Sequence, residues 1–241
     1  VRVSIIVPAF NEAKGITATL RSIQTAASVF TARGWDTELI VCDNNSTDHT
    51  AALAAAAGAR VVFEPINQIG RARNTGAQAA CGQWLIFVDA DSHPSPELFA
   101  EVADAIASGC CLAGGSTVRL DSPHLMACLV AQGWNLISRI TRWAPGSFIF
   151  CETAAFHTVG GFNPKLYASE EIDLFRRLKR LARQQGRSIR ILHRHPLLTS
   201  ARKAYLYSPA EHLRFLFRTV WRAGRTLQDP AECYTWYDGR R

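Results

Sequence analysis

Short apolar runs alternating with longer helical patterns predict an α/β protein built on a doubly wound, mostly parallel sheet flanked by helices. The runs 3–7, 38–42, 60–63 and 84–88 are short and rich in Val, Ile, Leu and Phe, as strands buried on both faces are. The segments between them, 14–33, 47–57 and 70–80, are rich in Ala, Leu, Gln and Arg, and the first is long enough to cross from one parallel strand to the next. Cap and stop residues at the expected places support the division.

The first run, within "VRVSIIVPAF", reads as a strand, so no leader segment is expected in these residues. Ser46-Thr47-Asp48 offers capping side chains before "HTAALAAAA", and Gly58 is a natural stop for that helix. After the run 84–88, Ser95 and Pro96 mark a helix start with a side-chain cap and proline in the first turn. Residues 122–143 read as a helix, 147–151 as a strand, and 188–192 as another strand. The segment 169–185 is amphipathic, with apolar positions at 174, 175, 178 and 181. A last amphipathic helix is expected over 208–227, again entered through Ser and Pro. With no repeat or linker in view, one domain is expected over 1–241, its character changing near residue 118.

Composition narrows the function classes without choosing one. In 241 residues, 48% are hydrophobic and 20% charged, an ordinary balance for a chain with a core. Lys and Arg exceed Asp and Glu by 27 to 20, a formal +7 that favours anionic partners such as nucleotides and sugar phosphates. Charge is the only feature that would speak for nucleic acid, so no nucleic-acid partner is expected. Seven cysteines without a C-x-x-C pair read as reduced, buried small hydrophobes of a cytoplasmic protein. No apolar stretch reaches the ~20 residues of a membrane-spanning helix.

In open parallel sheets, ligands bind beyond the carboxyl ends of the strands. Pro8, Ala9, Phe10, Asn11 and Glu12 follow the first run, Asp43 to Ser46 the second, and Asp89, Ala90 and Asp91 the fourth. Two carboxylates delivered side by side repel unless a cation or a proton intervenes. With oxygen ligands alone, that cation is hard, Mg²⁺ or Mn²⁺. The chain contains neither a G-x-G-x-x-G nor a G-x-x-x-x-G-K-[ST] sequence, which argues against dinucleotide dehydrogenases and P-loop NTPases.

Four blocks, "VSIIVPAFNEAKGI", "LIVCDNNSTDHT", "GRARNTGAQAACGQWLIFVDAD" and "VGGFNPKLYASEEIDLFRRL", together resemble a bacterial-type family 2 inverting glycosyltransferase of the GT-A fold. The resemblance covers about residues 2–180 and implies a metal-dependent transfer of sugar from a nucleotide-sugar donor, a UDP-sugar in preference to a GDP-sugar, to an acceptor hydroxyl. It implies a nucleotide-sugar and metal half over 1–118 and an acceptor half over 119–241. By motif, Pro8, Ala9, Asn11, Glu12, Asp43, Arg71, Asn74, Asp89 and Ala90 would contact the nucleotide. Asp91 would hold the metal on the diphosphate with Asp89 beside it. Arg73 belongs to the same basic segment as Arg71, and Gly70 and Gly76 suit close backbone approach. Asn44 and Asn45 depart from the acidic and glycine residues usual there.

The family's acidic pair before a helix corresponds to Glu170 and Glu171, with Glu171 at the position of the usual aspartate base and Glu170 the alternative base. Acidic residues at a helix start also stabilise the helix dipole whatever their chemistry. Gly160, Gly161 and Phe162 would form the loop approaching the sugar, with Trp143 and Phe148 as an acceptor platform. His193 is a candidate additional metal ligand, and Arg202 and Lys203 candidates for the leaving diphosphate. In the last segment, Leu213, Leu216, Phe217, Val220 and Trp221 share one helical face and Arg214, Arg218, Arg222 and Arg225 another. That pattern over 211–225 suits a peripheral contact with the inner face of the cytoplasmic membrane, a homodimer, or a helix packed on the domain. Two alternatives stand beside transfer: a sugar-phosphate nucleotidyltransferase, and a GT-A-like nucleotide-binding protein without transferase activity, which Glu at position 171 keeps open.

Overall fold

The computed structural model describes residues 1–122 and 125–201. The chain order is β1 (Arg2–Ala9), α1 (Ile16–Ala32), β2 (Asp36–Asp43), α2 (Thr50–Ala56), β3 (Arg60–Phe63), α3 (Ile69–Ala79), β4 (Trp84–Val88), β5 (Ser92–His93), α4 (Pro96–Ala107) and β6 (Cys111–Asp121). Then follow α5 (Leu125–Thr141), β7 (Phe148–Glu152), α6 (Thr153–Thr158), α7 (Glu170–Gln184) and β8 (Ser188–Ser200). The helix expected over 208–227, with Arg202 and Lys203, lies outside the described residues.

The strands form one sheet in the order β3-β2-β1-β4-β7-β6-β8-β5. The expected parallel, doubly wound half is present: β2 with β3, β1 with β2 and β1 with β4 all pair in parallel. Beyond β4 the sheet changes character, because β7 runs antiparallel to both β4 and β6. The change of character expected near residue 118 therefore falls inside β6, a strand of the shared sheet.

Two apolar layers cover the two faces. On one, α1 and α4 bury Leu20, Ile23, Phe30, Phe99 and Val102 against Ile5, Val7 and Ile86. On the other, Phe156, Phe162, Leu174, Phe175 and Leu178 pack on Ile6, Phe87 and Ile149. Ser95 caps α4 as expected, accepting a hydrogen bond from the Leu98 N–H at 3.2 Å with Pro96 in the first turn. Gly58 closes α2 at φ +85°. Among the described cysteines only Cys42, Cys111 and Cys151 are buried, and Cys81 and Cys110 are exposed, a correction to the expectation of a uniformly buried set. Burial pushes the Cys42 and Cys111 thiols up to about 12 and about 11, so these behave as inert apolar side chains.

Two strands escape the sequence pattern. β6 contains Gly114-Gly115, which reads as a turn. A β-carbon on Gly114 would lie 2.2 Å from the Arg190 carbonyl oxygen, and one on Gly115 would lie 2.3 Å from Ala144, so these glycines admit close neighbours inside a central strand. β8 extends to Ser200 rather than 192, and its register against β6 jumps from Ser116↔Leu192 to Val118↔Leu197. The intervening His193-Arg194-His195-Pro196 bulges out of the ladder, which accommodates a proline inside a strand. Among the described residues no helix is long and apolar enough to cross a membrane.

α3 lies against β1 through Gly76, where an added β-carbon would come 2.4 Å from the Ile6 Cγ2. Gly76→Ala sets a helix-propensity gain of about 1 kcal/mol against an overpacking cost of about 1–3 kcal/mol in a filled core. Because Ile6 is fully buried and cannot swing away, we expect net destabilisation, read as a lower urea midpoint at unchanged slope.

Candidate active site

The parallel pairing of β1 with β2 puts Ala9 level with Asp43, and β4 delivers Asp89 to the same rim. Pro8 and Ala9 are buried in the strand end and Ala90 is buried beside it, its carbonyl accepting from the Thr19 hydroxyl at 2.7 Å. These three offer backbone and small apolar surface, not polar side chains.

The rim loops brace one another with side-chain amides and carboxylates. Asn11, at φ +52°, donates its N–H to Ser46 Oγ and accepts from the Thr47 N–H at 2.8 Å. Asp48 accepts from the Ala13 and Thr50 N–H groups, which makes it the loop brace its sequence position suggests. Asp43 is buried and accepts from the Ser46 N–H at 3.3 Å, while the Glu12 N–H donates to the Thr50 hydroxyl at 2.8 Å. Asn44, one of the departures from the family pattern, is buried and donates to the Glu64 and Ile66 carbonyls, tying the loop after β2 to the loop after β3.

The centre of the site is Arg73, fully buried on the inner face of α3. Nη1 donates to Glu170 Oε1 at 2.7 Å, and Nη2 donates to Asp89 Oδ1 at 2.9 Å and to the Gly146 carbonyl at 2.8 Å. The guanidinium also lies 5.2 Å from the Phe162 ring centroid, a cation–π contact that covers its face. Burial works against the charge of Arg73, but Asp89, Glu170 and Glu171 outweigh it and hold the guanidinium above its ordinary pKa. One cation thus gathers the end of β4, the start of α7 and the loop between α5 and β7.

Glu171 sits beside this cluster, half-buried, with a hypothetical β-carbon on Gly146 only 3.7 Å from its carboxylate carbon. Burial, the adjacent Glu170 carboxylate and Asp89 push the Glu171 carboxyl up to about 8, against the pull of Arg73. The residue before the pair, Ser169, has φ +60°, a left-handed turn that aims Glu170 inward at Arg73.

Other expected site residues fall elsewhere in the architecture. Asn74, expected at the nucleotide, donates to the Phe162 carbonyl at 2.8 Å and accepts from its N–H at 2.9 Å, so its amide holds a loop. Phe162 is fully buried against Phe87 and Phe156, a core residue and not a wall open to sugar. Gly160 and Gly161 have φ of +81° and +65°, and a β-carbon on Gly161 would strike Asn74 Oδ1 at 2.7 Å, so the pair serves this turn. Phe148 is likewise buried in the core against Phe99. His193 lies in the bulge of β8, in a groove with Glu101 and Asp104 of α4, whereas it is Ser200, seven residues on, whose N–H reaches the Asp91 carbonyl. The strand thus carries His193 away from the aspartate it was expected to join.

Arg71 remains half-buried at the first turn of α3, its Nε donating to Gln68 Oε1 at 2.9 Å, and Asp91 is half-buried on the rim. Two residues escaped the sequence reading as organisers. Gln68, fully buried, also donates to the Pro164 and Leu166 carbonyls and anchors the loop ahead of α7. Arg73 was legible in principle: with Gly70 and Ala77 it falls at i, i+3 and i+7 on the buried face of a helix, an unusual place for a lone cation.

Arg73→Met would leave the carboxylates of Asp89 and Glu170 facing each other without their cation, a loss of about 3–5 kcal/mol for a broken buried pair, measurable by chemical denaturation at pH 7. For Glu171 the sign is opposite to that of a salt-bridged acid. Its folded pKa lies above its unfolded value of 4.5, so the folded state holds the extra proton and stability falls as pH rises from about 4.5 to about 8. Glu171→Gln should therefore gain stability relative to the parent steadily across that window, and parallel pH curves for the two proteins would contradict the shift.

Comparison with known proteins agrees with this geometry. A Mycobacterium tuberculosis protein named an uncharacterized glycosyltransferase is 35% identical over 104 residues, 42% of this chain and 43% of that protein. The chain thus spans less than half the length of these curated relatives. Among solved structures, S. aureus TarS residues 1–349 superposes with a TM-score of 0.64 at 22% identity, over 90% of this chain and 65% of that one. The M. tuberculosis glucosyl-3-phosphoglycerate synthase, solved with Mn²⁺, UDP and phosphoglyceric acid, gives 0.60 at 20% identity, over 90% of this chain and 75% of that one. At such identities these likenesses establish the fold. Residues 4–125 match the model of glycosyl transferase family 2, half of the chain, and the chain belongs to that family.

Proposed function

We propose that this protein transfers a sugar from a nucleotide-sugar donor, a UDP-sugar, to an acceptor hydroxyl with inversion at the anomeric carbon. The observation that carries the reading is the Arg73 cluster, which sets an acidic pair at the start of α7 beside the carboxylate rim of β4. The UDP and UDP-GlcNAc complexes of TarS and the UDP complex of the mycobacterial synthase support the choice of donor.

In this reading Asp43 and the braced loops after β1 and β2 receive the nucleoside, and Arg71 faces the diphosphate, where a guanidinium can pair bidentately with phosphate oxygens. The carboxylates of Asp89, Glu170 and Glu171 outnumber the one buried cation among them, so the site fits a further positive charge. Asp91, with Asp89 beside it, would hold Mg²⁺ or Mn²⁺. Among the described residues no group of three or more His, Cys, Asp or Glu is placed to hold a metal alone, so donor phosphates and water complete the shell. When bound, the ion supplies charge neutralisation on the diphosphate.

Glu171 is the base. The acceptor oxygen bonds to the anomeric carbon as that carbon's bond to the diphosphate oxygen breaks. The electron pair leaves with the nucleoside diphosphate, and the acceptor proton passes to Glu171 in its ionised form, the fraction of which rises with pH toward about 8. Glu170, bound to Arg73, positions that base and is not itself the acceptor of the proton.

Calorimetric titration tests the donor site. UDP should bind in the presence of Mn²⁺, lose affinity in EDTA, and lose it again in Asp91→Ala, while GDP binds weakly or not at all. Tight binding of GDP alone would overturn the donor choice, and failure of both would overturn the site. Glu171→Gln should keep UDP affinity while lowering turnover by about 10²–10⁴-fold and removing the acid limb of the rate profile. An unchanged rate would return the base to another residue.

A further inference from the structure

The outer surface of α5 is apolar and uncovered among the described residues. Leu129, Val130, Leu136, Ile137 and Ile140 are between 46% and 74% exposed. At 100° per residue they and Gly133 fall within an arc of roughly 120°, running about 16 Å along the helix without a polar interruption. The opposite side of the same helix meets the sheet, where Asn135 pairs with the Val118 backbone and Ser138 is buried. The inward side thus spends its polar groups on the sheet and the loop after the helix, while the apolar stripe faces out.

The stripe ends at a group of cations. Lys179 of α7 donates to the Thr141 carbonyl at the last residue of α5. Lys179 and Arg176 lie 5.3 Å and 5.7 Å from the ring of Trp143, which is half-buried between the two helices. Arg142, Arg180 and Arg183 are exposed nearby in sequence, and none of the five forms an ion pair with a carboxylate among the described residues. Burial, followed by repulsion from Arg183, Arg142 and Arg176, lowers the Lys179 pKa, a mark of uncompensated positive charge in one place.

We propose that α5 and the adjoining basic end of α7 form a docking face for a membrane surface bearing anionic lipid. An aliphatic stripe bordered by an aromatic ring and unpaired Arg and Lys side chains matches what an interfacial helix presents, the aliphatics entering the acyl boundary and the cations meeting lipid phosphates. A second copy packed with its α5 parallel would bring like charges together, and one packed antiparallel would set each basic end against a helix that contains no Asp or Glu. This face is built from residues other than 211–225, which lie outside the described residues, and the proposal does not depend on the identity of donor or acceptor.

Sedimentation of the whole chain with lipid vesicles tests it, using phosphatidylcholine alone and with roughly a third phosphatidylglycerol. Binding should require the anionic lipid and weaken as salt rises. Arg176→Glu/Arg180→Glu should cost about tenfold or more in vesicle affinity, and Val130→Glu/Ile140→Glu should abolish it, with far-UV dichroism and UDP binding retained. Should the acidic pair of variants fail to fold, Val130→Ser/Ile140→Ser makes the same test with a smaller loss. Absence of vesicle binding overturns the proposal, as does binding that these changes leave intact but that Arg218→Glu/Arg222→Glu removes. So does a mass that doubles with concentration in the parent and not in Ile140→Glu, without any lipid affinity.

Discussion

A guanidinium with almost no access to water organises this molecule. Arg73 cannot shed its charge at any ordinary pH, so its burial demands carboxylates within hydrogen-bonding reach. They come from Asp89 and Glu170, 16 and 97 residues away in sequence. To satisfy one side chain, the helix after β3, the end of β4 and the start of α7 must meet at one point. Such a triad adds little net stability over a well-packed apolar core. Its effect is on placement: the acidic pair can sit in only one position relative to the strand that carries Asp89 and leads to Asp91.

Around that centre, the polar residues divide into those that hold loops and those left half exposed on the rim. Asn11, Asn44, Gln68 and Asn74 spend their amides on neighbouring backbone or hydroxyl groups and join loops distant in sequence. Arg71, Asp91 and Glu171 stay partly accessible. For the proposed transfer, which needs donor and acceptor aligned within fractions of an ångström, loops frozen before substrate arrives are an advantage. Of the two asparagines that depart from the family pattern, Asn44 fits this arrangement as a brace whose replacement would free two loops together.

The antiparallel insertion of β7 has a similar consequence for the second half. It pairs Val88, at the end of β4, with Phe148, and so brings the loop at Gly146 and Ser147 over Arg73 and Asp89. The same connection begins at the end of α5, so the outer apolar face and the buried ionic cluster are joined by only a few residues of chain.

Much was determined by the sequence alone. The first four strands and the helices between them were legible because each is set by local periodicity, and the capped start at Ser95 and Pro96 because its chemistry is contiguous in the chain. The four family blocks and the acidic pair at the start of α7 were legible for the same reason. Tertiary structure decided the rest. The glycines of β6 look like a turn until Ala144 and the Arg190 carbonyl are seen pressed against them, and the extension of β8 past a proline depends on a bulge that only its partner strand reveals. Asn74, Phe162 and His193 each carry chemistry suited to a site, but side-chain type does not report which neighbour a fold will supply. Arg73 shows the limit most directly. Its helical register marked it as buried, whereas the carboxylates that make that burial tolerable, and the site they form with it, are brought together only by long-range packing.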